Sequence, residues 1–160
     1  MACRVPLAFR PPLVNWGANA YAAAFLGPAG NAADRSTIAQ PLAMYAGQDN
    51  IPEVGTFLHW LKQVAPNQAP DIFAAYGWES ARLFVQALGA AGPHATRPAL
   101  MATLQGIDNF DGNGMLAPAG PASKRPPTCF MTIGVSNGAF TRSDPASGFI
   151  CDRGGYYFAH

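Results

Sequence analysis

Gly134-Val135-Ser136-Asn137-Gly138 reads G-x-S-x-G, the spacing of a nucleophile elbow, where a serine stands on a sharp strand-to-helix turn beside backbone donors. Asp144 or Asp152, and then His160, come after it in the order of a Ser-Asp-His triad. A serine hydrolase using Ser136, Asp144 and His160 is therefore the sharpest catalytic reading of the chain. That chemistry needs a helix after the turn. The residues after this turn are Ala139-Phe140-Thr141-Arg142-Ser143-Asp144-Pro145, a poor helix and a good return strand. His160 is the last residue, where chains fray. The simpler expectation is a β-hairpin turning at Asn137-Gly138, the strongest short hairpin dipeptide.

Asn109-Phe110-Asp111-Gly112-Asn113-Gly114 has the spacing of the opening of a calcium loop. Its twelfth position falls on Gly120, where calcium takes a bidentate Glu, and Pro118 and Pro121 block the helix that should come next. A turn rich in Asp, Asn and Gly is expected instead. Gly112-x-Gly114-x-x-Ala117 neither succeeds a clear strand nor opens a helix, which removes it as a dinucleotide loop. His59, His94 and His160, with Cys3, Cys129 and Cys151, lack the spacing of structural zinc. No metal and no cofactor is expected. His59 beside Trp60 reads as solvated surface. Asn15, Trp16, Asn19 and Tyr21 lie at the end of a short apolar run and combine aromatics with side-chain amides. They are candidates for a small-molecule site just past a strand end, with turn and packing roles as the alternative. Cys129 and Cys151 share the C-terminal region and could pair, which belongs to an oxidising compartment.

The 160 residues suit one domain with one core. Hydrophobic residues are 49% of the chain and charged residues only 12%, about half the usual share. This balance argues against disorder. A net charge of +1 without a Lys/Arg run gives no means of holding a phosphate backbone or an anionic membrane surface. Nucleic acid is therefore excluded as a partner. The longest apolar stretch, Ala20 to Leu26, is far below the roughly 20 residues a bilayer needs. Arg10, Pro11 and Pro12 interrupt any signal-peptide core, so no export signal is expected in this chain. That conflicts with an oxidised cysteine pair.

The elements that must position these residues alternate in type. Leu13 to Trp16 suits a short strand and Ala20 to Leu26 a helix stopped at Gly27-Pro28. Ser36 to Ala46 reads as extended, with Pro41 confining it to a sheet edge or a loop. Asn50 as N-cap and Glu53 as a capping-box residue open a helix from Pro52 to Ala65. Asp71 caps the next helix, for which Phe73, Tyr76, Gly77, Phe84 and Leu88 form the expected buried stripe and Glu79 pairs with Arg82 on the wet face. A close-packed neighbour is expected at Gly77. Thr96 caps a third helix ending at Gly106. Cys129 to Ser136 alternates with strand period. The chain is thus α/β or α+β, with helices beside a small sheet and a C-terminal hairpin.

Tyr76-Gly77-Trp78-Glu79-Ser80-Ala81, Leu83-Phe84, Ala87-Leu88, Ala91-Gly92, Thr96-Arg97-Pro98-Ala99-Leu100, Phe110-Asp111-Gly112-Asn113-Gly114 and Ile133-Gly134-Val135-Ser136-Asn137-Gly138-Ala139-Phe140 occur in that order. This ordered set resembles the C-terminal half of type 1 periplasmic binding proteins. It is most similar to the leucine/isoleucine/valine-type substrate-binding proteins of ABC transporters. The likeness runs from about Leu13 to Cys151, leaving an irregular segment 1–12 and a tail 152–160. It implies an α/β fold that is part of a two-lobed, Venus-flytrap architecture, a solute-binding rather than catalytic role, and a membrane permease as partner. Such proteins are at least roughly twice this length, so the chain resembles a C-terminal piece, with a non-functional truncated fragment as a further alternative and self-association expected through the surface the missing lobe would cover. The parent would be exported, with its signal on the missing part, which also accommodates a Cys129–Cys151 disulfide. The ligand loop matching the family is Asn15 to Tyr21. The resemblance implies a small-molecule or amino-acid-like ligand, but this loop departs from the family's amino-acid binders in holding no Asp or Glu to meet an ammonium group, so Asn15, Trp16 and Asn19 suit a neutral or amide-like ligand instead.

Overall fold

A computed structural model describes residues 11–47 and 51–152. Asn50, Cys3, His160, and the segments 1–10 and 153–160 lie outside the described residues. The chain opens with strand β1 (Asn15–Trp16), a 3-10 turn (Ala18–Ala20), helix α1 (Ala23–Ala29) and a second 3-10 turn (Gly30–Ala33). Strand β2 (Thr37–Gln40) leads to helices α2 (Pro52–Val64), α3 (Ile72–Ala91) and α4 (Arg97–Gln105). The chain then returns through a 3-10 turn (Pro121–Ser123) to strands β3 (Cys129–Ser136), β4 (Ala139–Asp144) and β5 (Ile150–Cys151). The sheet order is β1-β2-β3-β4, with β1 and β2 parallel, the other neighbours antiparallel, and β5 paired to β3.

Local chemistry accounts for most of these bounds. The Asp71 side chain accepts from the Ala74 N–H at 2.7 Å, and the Thr96 hydroxyl accepts from the Ala99 N–H at 3.3 Å. Each satisfies a donor that the first helical turn leaves free. Cys129, Met131, Ile133 and Val135 are buried on one face of β3. Asn137 and Gly138 both have positive φ (51° and 69°), as a two-residue hairpin turn that matches the sheet's twist requires.

Five local expectations are corrected. Helix α1 runs through Gly27 and Pro28 instead of stopping there. The bond Pro28 cannot make would have gone to the carbonyl of Ala24, an exposed residue that water can serve. Strand β2 is interior, between β1 and β3, because it ends at Gln40 and leaves Pro41 outside the ladder. Ile51 is the N-cap of α2, and Glu53 turns inward. The stripe on α3 is inverted. Phe73 is 74% and Phe84 49% exposed, Tyr76 and Leu88 are also on the surface, and Ile72, Ala75, Glu79 and Ala87 are buried. No atom outside its own helix backbone lies within 4 Å of a Cβ built at Gly77.

One apolar cluster joins sheet and helices: Tyr21, Ile38, Leu42, Val54, Phe57, Ile72, Met115, Met131 and Ile133 all belong to it. The segment after α4 connects the two parts. Leu42 and Leu116 form an antiparallel bridge, the Ala43 N–H donates to the Met115 carbonyl, and the Ala117 N–H donates to the Pro41 carbonyl, each at 2.8 Å. At the far end of β3, Cys129 and Cys151 face each other in register and their sulfurs are bonded. The Asp152 N–H donates to the Thr128 carbonyl. The cysteines therefore form the neighbouring non-hydrogen-bonded pair, the kind whose side chains lie closer together.

Candidate functional site

Strand β1 is so short that its parallel pairing with β2 (Asn15↔Thr37, Trp16↔Ile38) delivers the chain directly to the sheet end and the turn at Ala18. Asn15 and Trp16 are consecutive and stand on opposite faces of the strand. Asn15 is exposed, and its Oδ1 accepts from the Thr37 hydroxyl at 3.1 Å. The Trp16 ring meets Phe25 edge-on, with centroids 5.4 Å apart. Its indole Nε1–H is buried and finds no acceptor among the described residues. Asn19 is exposed, with Oδ1 3.1 Å from where a Cβ on residue 17 would sit.

Tyr21 is wholly buried. Its hydroxyl accepts from the N–H groups of Tyr45 (3.1 Å) and Ala46 (3.2 Å), while the Tyr45 hydroxyl donates to the Tyr21 carbonyl. The two rings stack at 4.3 Å, and Phe140 meets Tyr21 edge-on at 4.8 Å. Desolvation, the largest influence, raises the pKa of the Tyr21 hydroxyl above its ordinary value. Tyr21 therefore fastens the loop to the segment after β2, with its polar atom already committed. Beside it lies an apolar cleft of about 310 Å³, lined by Leu26, Leu58, Pro70 and Phe140 among others. Asn15, Trp16 and Asn19 are near neighbours in sequence at the sheet end but face different surroundings, Asn15 towards Thr37 and Trp16 towards Phe25, and only Tyr21 lines the cleft.

A second constellation is not among the sequence-based candidates. Glu53 on α2 is 6% exposed and is held by three donors: Trp78 Nε1 at 2.7 Å, Asn113 Nδ2 at 2.8 Å and Arg82 Nε at 3.0 Å. Arg82 thus pairs with Glu53, and Glu79 faces inward. Glu79 is 2% exposed, neither carboxyl oxygen has a partner among the described residues, and a Cβ at Gly112 would lie 2.1 Å from its Oε2. Burial, aided by the nearby Glu53 and Asp111 charges and opposed by Arg82, raises its pKa to about 7. The legible signal is spacing, since Glu79 falls in register with Ile72, Ala75 and Ala87 on one helical face.

Among the described residues, Ser136 and Asp144 are not brought together, and His160 lies outside them. Ser136 ends β3 opposite Ala139 at the hairpin turn, and Asp144 pairs with Thr132, roughly 13 Å along the strand at 3.3 Å per residue. A strand, not a helix, succeeds the turn. The segment from Asn109 to Gly114 is a turn in which the Asn113 N–H donates to Asp111 Oδ1 and the Gly114 N–H donates to the Asp111 carbonyl. No group of three His, Cys, Asp or Glu side chains arranged to hold a metal occurs among the described residues.

A family model for periplasmic binding proteins matches residues 11–139. The chain belongs to the periplasmic binding protein family. The match takes in the loop at Asn15–Tyr21, all the helices, and β3 through its hairpin turn. Solved structures share the family fold. A protein from Rhodopirellula baltica SH 1 described as a possible leucine/isoleucine/valine-binding protein aligns with a TM-score of 0.69 at 17% identity, over 88% of this chain and 37% of that one. A protein from Rhodospirillum rubrum described as a branched-chain amino acid ABC transporter gives 0.65 at 20%, over 87% and 39%. An extracellular ligand-binding receptor from Rhodopseudomonas palustris HaA2 gives 0.64 at 17%, over 87% and 42%. The chain therefore spans about two fifths of the length of these structures. No curated protein matches. Among the described residues, no helix is long and apolar enough to cross a membrane.

Proposed function

We propose that this chain is part of the solute-binding component of an ABC-type importer, acting outside the cytoplasm and delivering a small molecule to a membrane permease. The observation that carries this reading is the family match over residues 11–139, which includes the loop at the sheet end. Its contribution to the ligand is Asn15, Trp16 and Asn19. The amides offer both donors and acceptors, and the Trp16 N–H, buried and without an acceptor among the described residues, offers a donor already removed from water. The loop holds no carboxylate for an ammonium group, so the ligand part that meets it is neutral or amide-like.

The inverted face of α3 supports the same reading. Phe73, Tyr76, Phe84 and Leu88 form an apolar stripe exposed on the surface of the described residues, and about three fifths of each similar structure lies outside the matched part. The occupant we assign to that stripe is the remainder of a two-lobed fold.

Thermal unfolding of the chain with a panel of amino acids, amides and small sugars tests the binding reading. A ligand at a hundred times its Kd stabilises the native state by about 2.7 kcal/mol. The expected result is an upward shift with one chemical class that Asn15→Ala and Trp16→Phe each reduce. A cooperative transition that no class shifts, or a shift indifferent to both variants, would refute the assignment of the loop.

A further inference from the structure

The segment from Asn109 to Ala117 connects the helices to the sheet, and it is pressed against α3 at one point. Gly112 is buried with φ +55°, and the missing Cβ leaves room for the Glu79 carboxyl. Any larger residue would meet that carboxyl. Two residues on, the turn reaches Gly114, and Met115 enters the core. The charged groups that face Glu79 are Glu53 from α2, Arg82 from its own helix and Asp111 from the segment itself. Two are negative, and Arg82 is already engaged by Glu53 at 3.0 Å. An ionised carboxylate at this place has no hydrogen-bond donor among the described residues and is closed off from solvent, an arrangement that strongly favours either a neutral carboxyl or a structural opening.

We propose that Glu79 and Gly112 form a proton-controlled latch: with a neutral Glu79 the segment 109–117 stays closed on α3, and loss of that proton to solvent releases the segment. The release loosens the link between the helices and the sheet, because Met115 and Ala117 carry the backbone bonds to Ala43 and Pro41. Glu53 is held apart from this change by its own donors, Trp78, Asn113 and Arg82. This inference is independent of the ligand reading.

The test is amide hydrogen exchange on the full chain from pH 5.5 to 8.5, corrected for intrinsic rates. Amides of Gly114, Met115 and Leu116, bonded to Asp111 and Gly112 carbonyls, report the latch, and amides of β3 serve as the internal reference. Protection of the first set should fall roughly thirtyfold relative to β3 across this range as Glu79 ionises, and Glu79→Gln should remove that pH dependence. A fall that persists in Glu79→Gln, or uniform protection across the range in the wild-type chain, overturns the proposal. If Glu79→Gln does not fold, the carboxyl carbon of Glu79 is titrated by NMR in the wild-type chain. A midpoint at the pH where the loss of protection levels off supports the latch, and a midpoint displaced from that pH overturns the latch.

Discussion

Tyr21→Phe separates a supporting role from a ligand-contacting one. The substitution keeps the ring, and with it the 4.3 Å stack on Tyr45 and the edge contact with Phe140. It removes only the oxygen that accepts from the N–H groups of Tyr45 and Ala46. Tyr45 is 7% exposed, so its N–H is stranded without water. An unsatisfied buried donor costs about 1–3 kcal/mol. Ala46 is exposed and its N–H can turn to solvent, adding little. The net loss is therefore about 2 kcal/mol, which for a chain of this size lowers the unfolding midpoint by roughly 4–8 °C. Urea and thermal unfolding of the two proteins measure it. Any ligand that shifts the wild-type midpoint should shift the variant by the same increment. Unchanged stability together with lost ligand response would place the hydroxyl in the binding site and refute the supporting role.

Reduction of the Cys129–Cys151 bond, which closes a loop with a sequence separation of 22, should cost about 3 kcal/mol by chain entropy, read as a lower urea midpoint in dithiothreitol that a Cys129→Ser/Cys151→Ser variant reproduces without reductant. Glu53→Gln places an amide NH₂ against either Asn113 or the Trp78 and Arg82 donors and should destabilise the chain by about 2–3 kcal/mol. It should also lower the pH at which Glu79 titrates, because the Glu53 charge helps to raise it; carboxyl NMR checks this. Glu79 itself makes stability depend on pH. Its carboxyl ionises near 4.5 when unfolded and at about 7 when folded, so its contribution is fully present below the first value and is lost as pH rises through the second. The loss is about 3 kcal/mol. Urea midpoints across that window should decline in the wild-type chain and stay level in Glu79→Leu.

The features legible in the sequence are those whose cause lies within a few residues. Asp71 and Thr96 reach the amides three positions ahead, Asn137-Gly138 supplies its own left-handed turn, and β3 buries every second residue over its whole length. The family likeness belongs with these, since an ordered set of short motifs survives where no single one is specific. Pro41 is excluded from the ladder, as its missing N–H demands, yet this does not make β2 an edge. The strand simply ends one residue earlier, and only the partners β1 and β3 make it interior. Glu53 shows the same division. Its position near the start of a helix suits a cap, yet Trp78, Asn113 and Arg82 approach it from far along the chain, the first of them 25 positions away.

The choice of buried face on α3 is the clearest case. The sequence determined by itself that the segment is a helix, where it starts and ends, and that it carries a large apolar stripe through Phe73, Tyr76, Phe84 and Leu88. It equally carries a second stripe of Ile72, Ala75, Glu79 and Ala87, narrow enough for close approach. Only tertiary structure decided between them, because burial depends on which surface is available to pack against. The surface this chain offers is the compact core around Val54, Phe57 and Met115, with a glycine at 112. Small residues and the one carboxyl of Glu79 fit there, and large aromatic side chains do not.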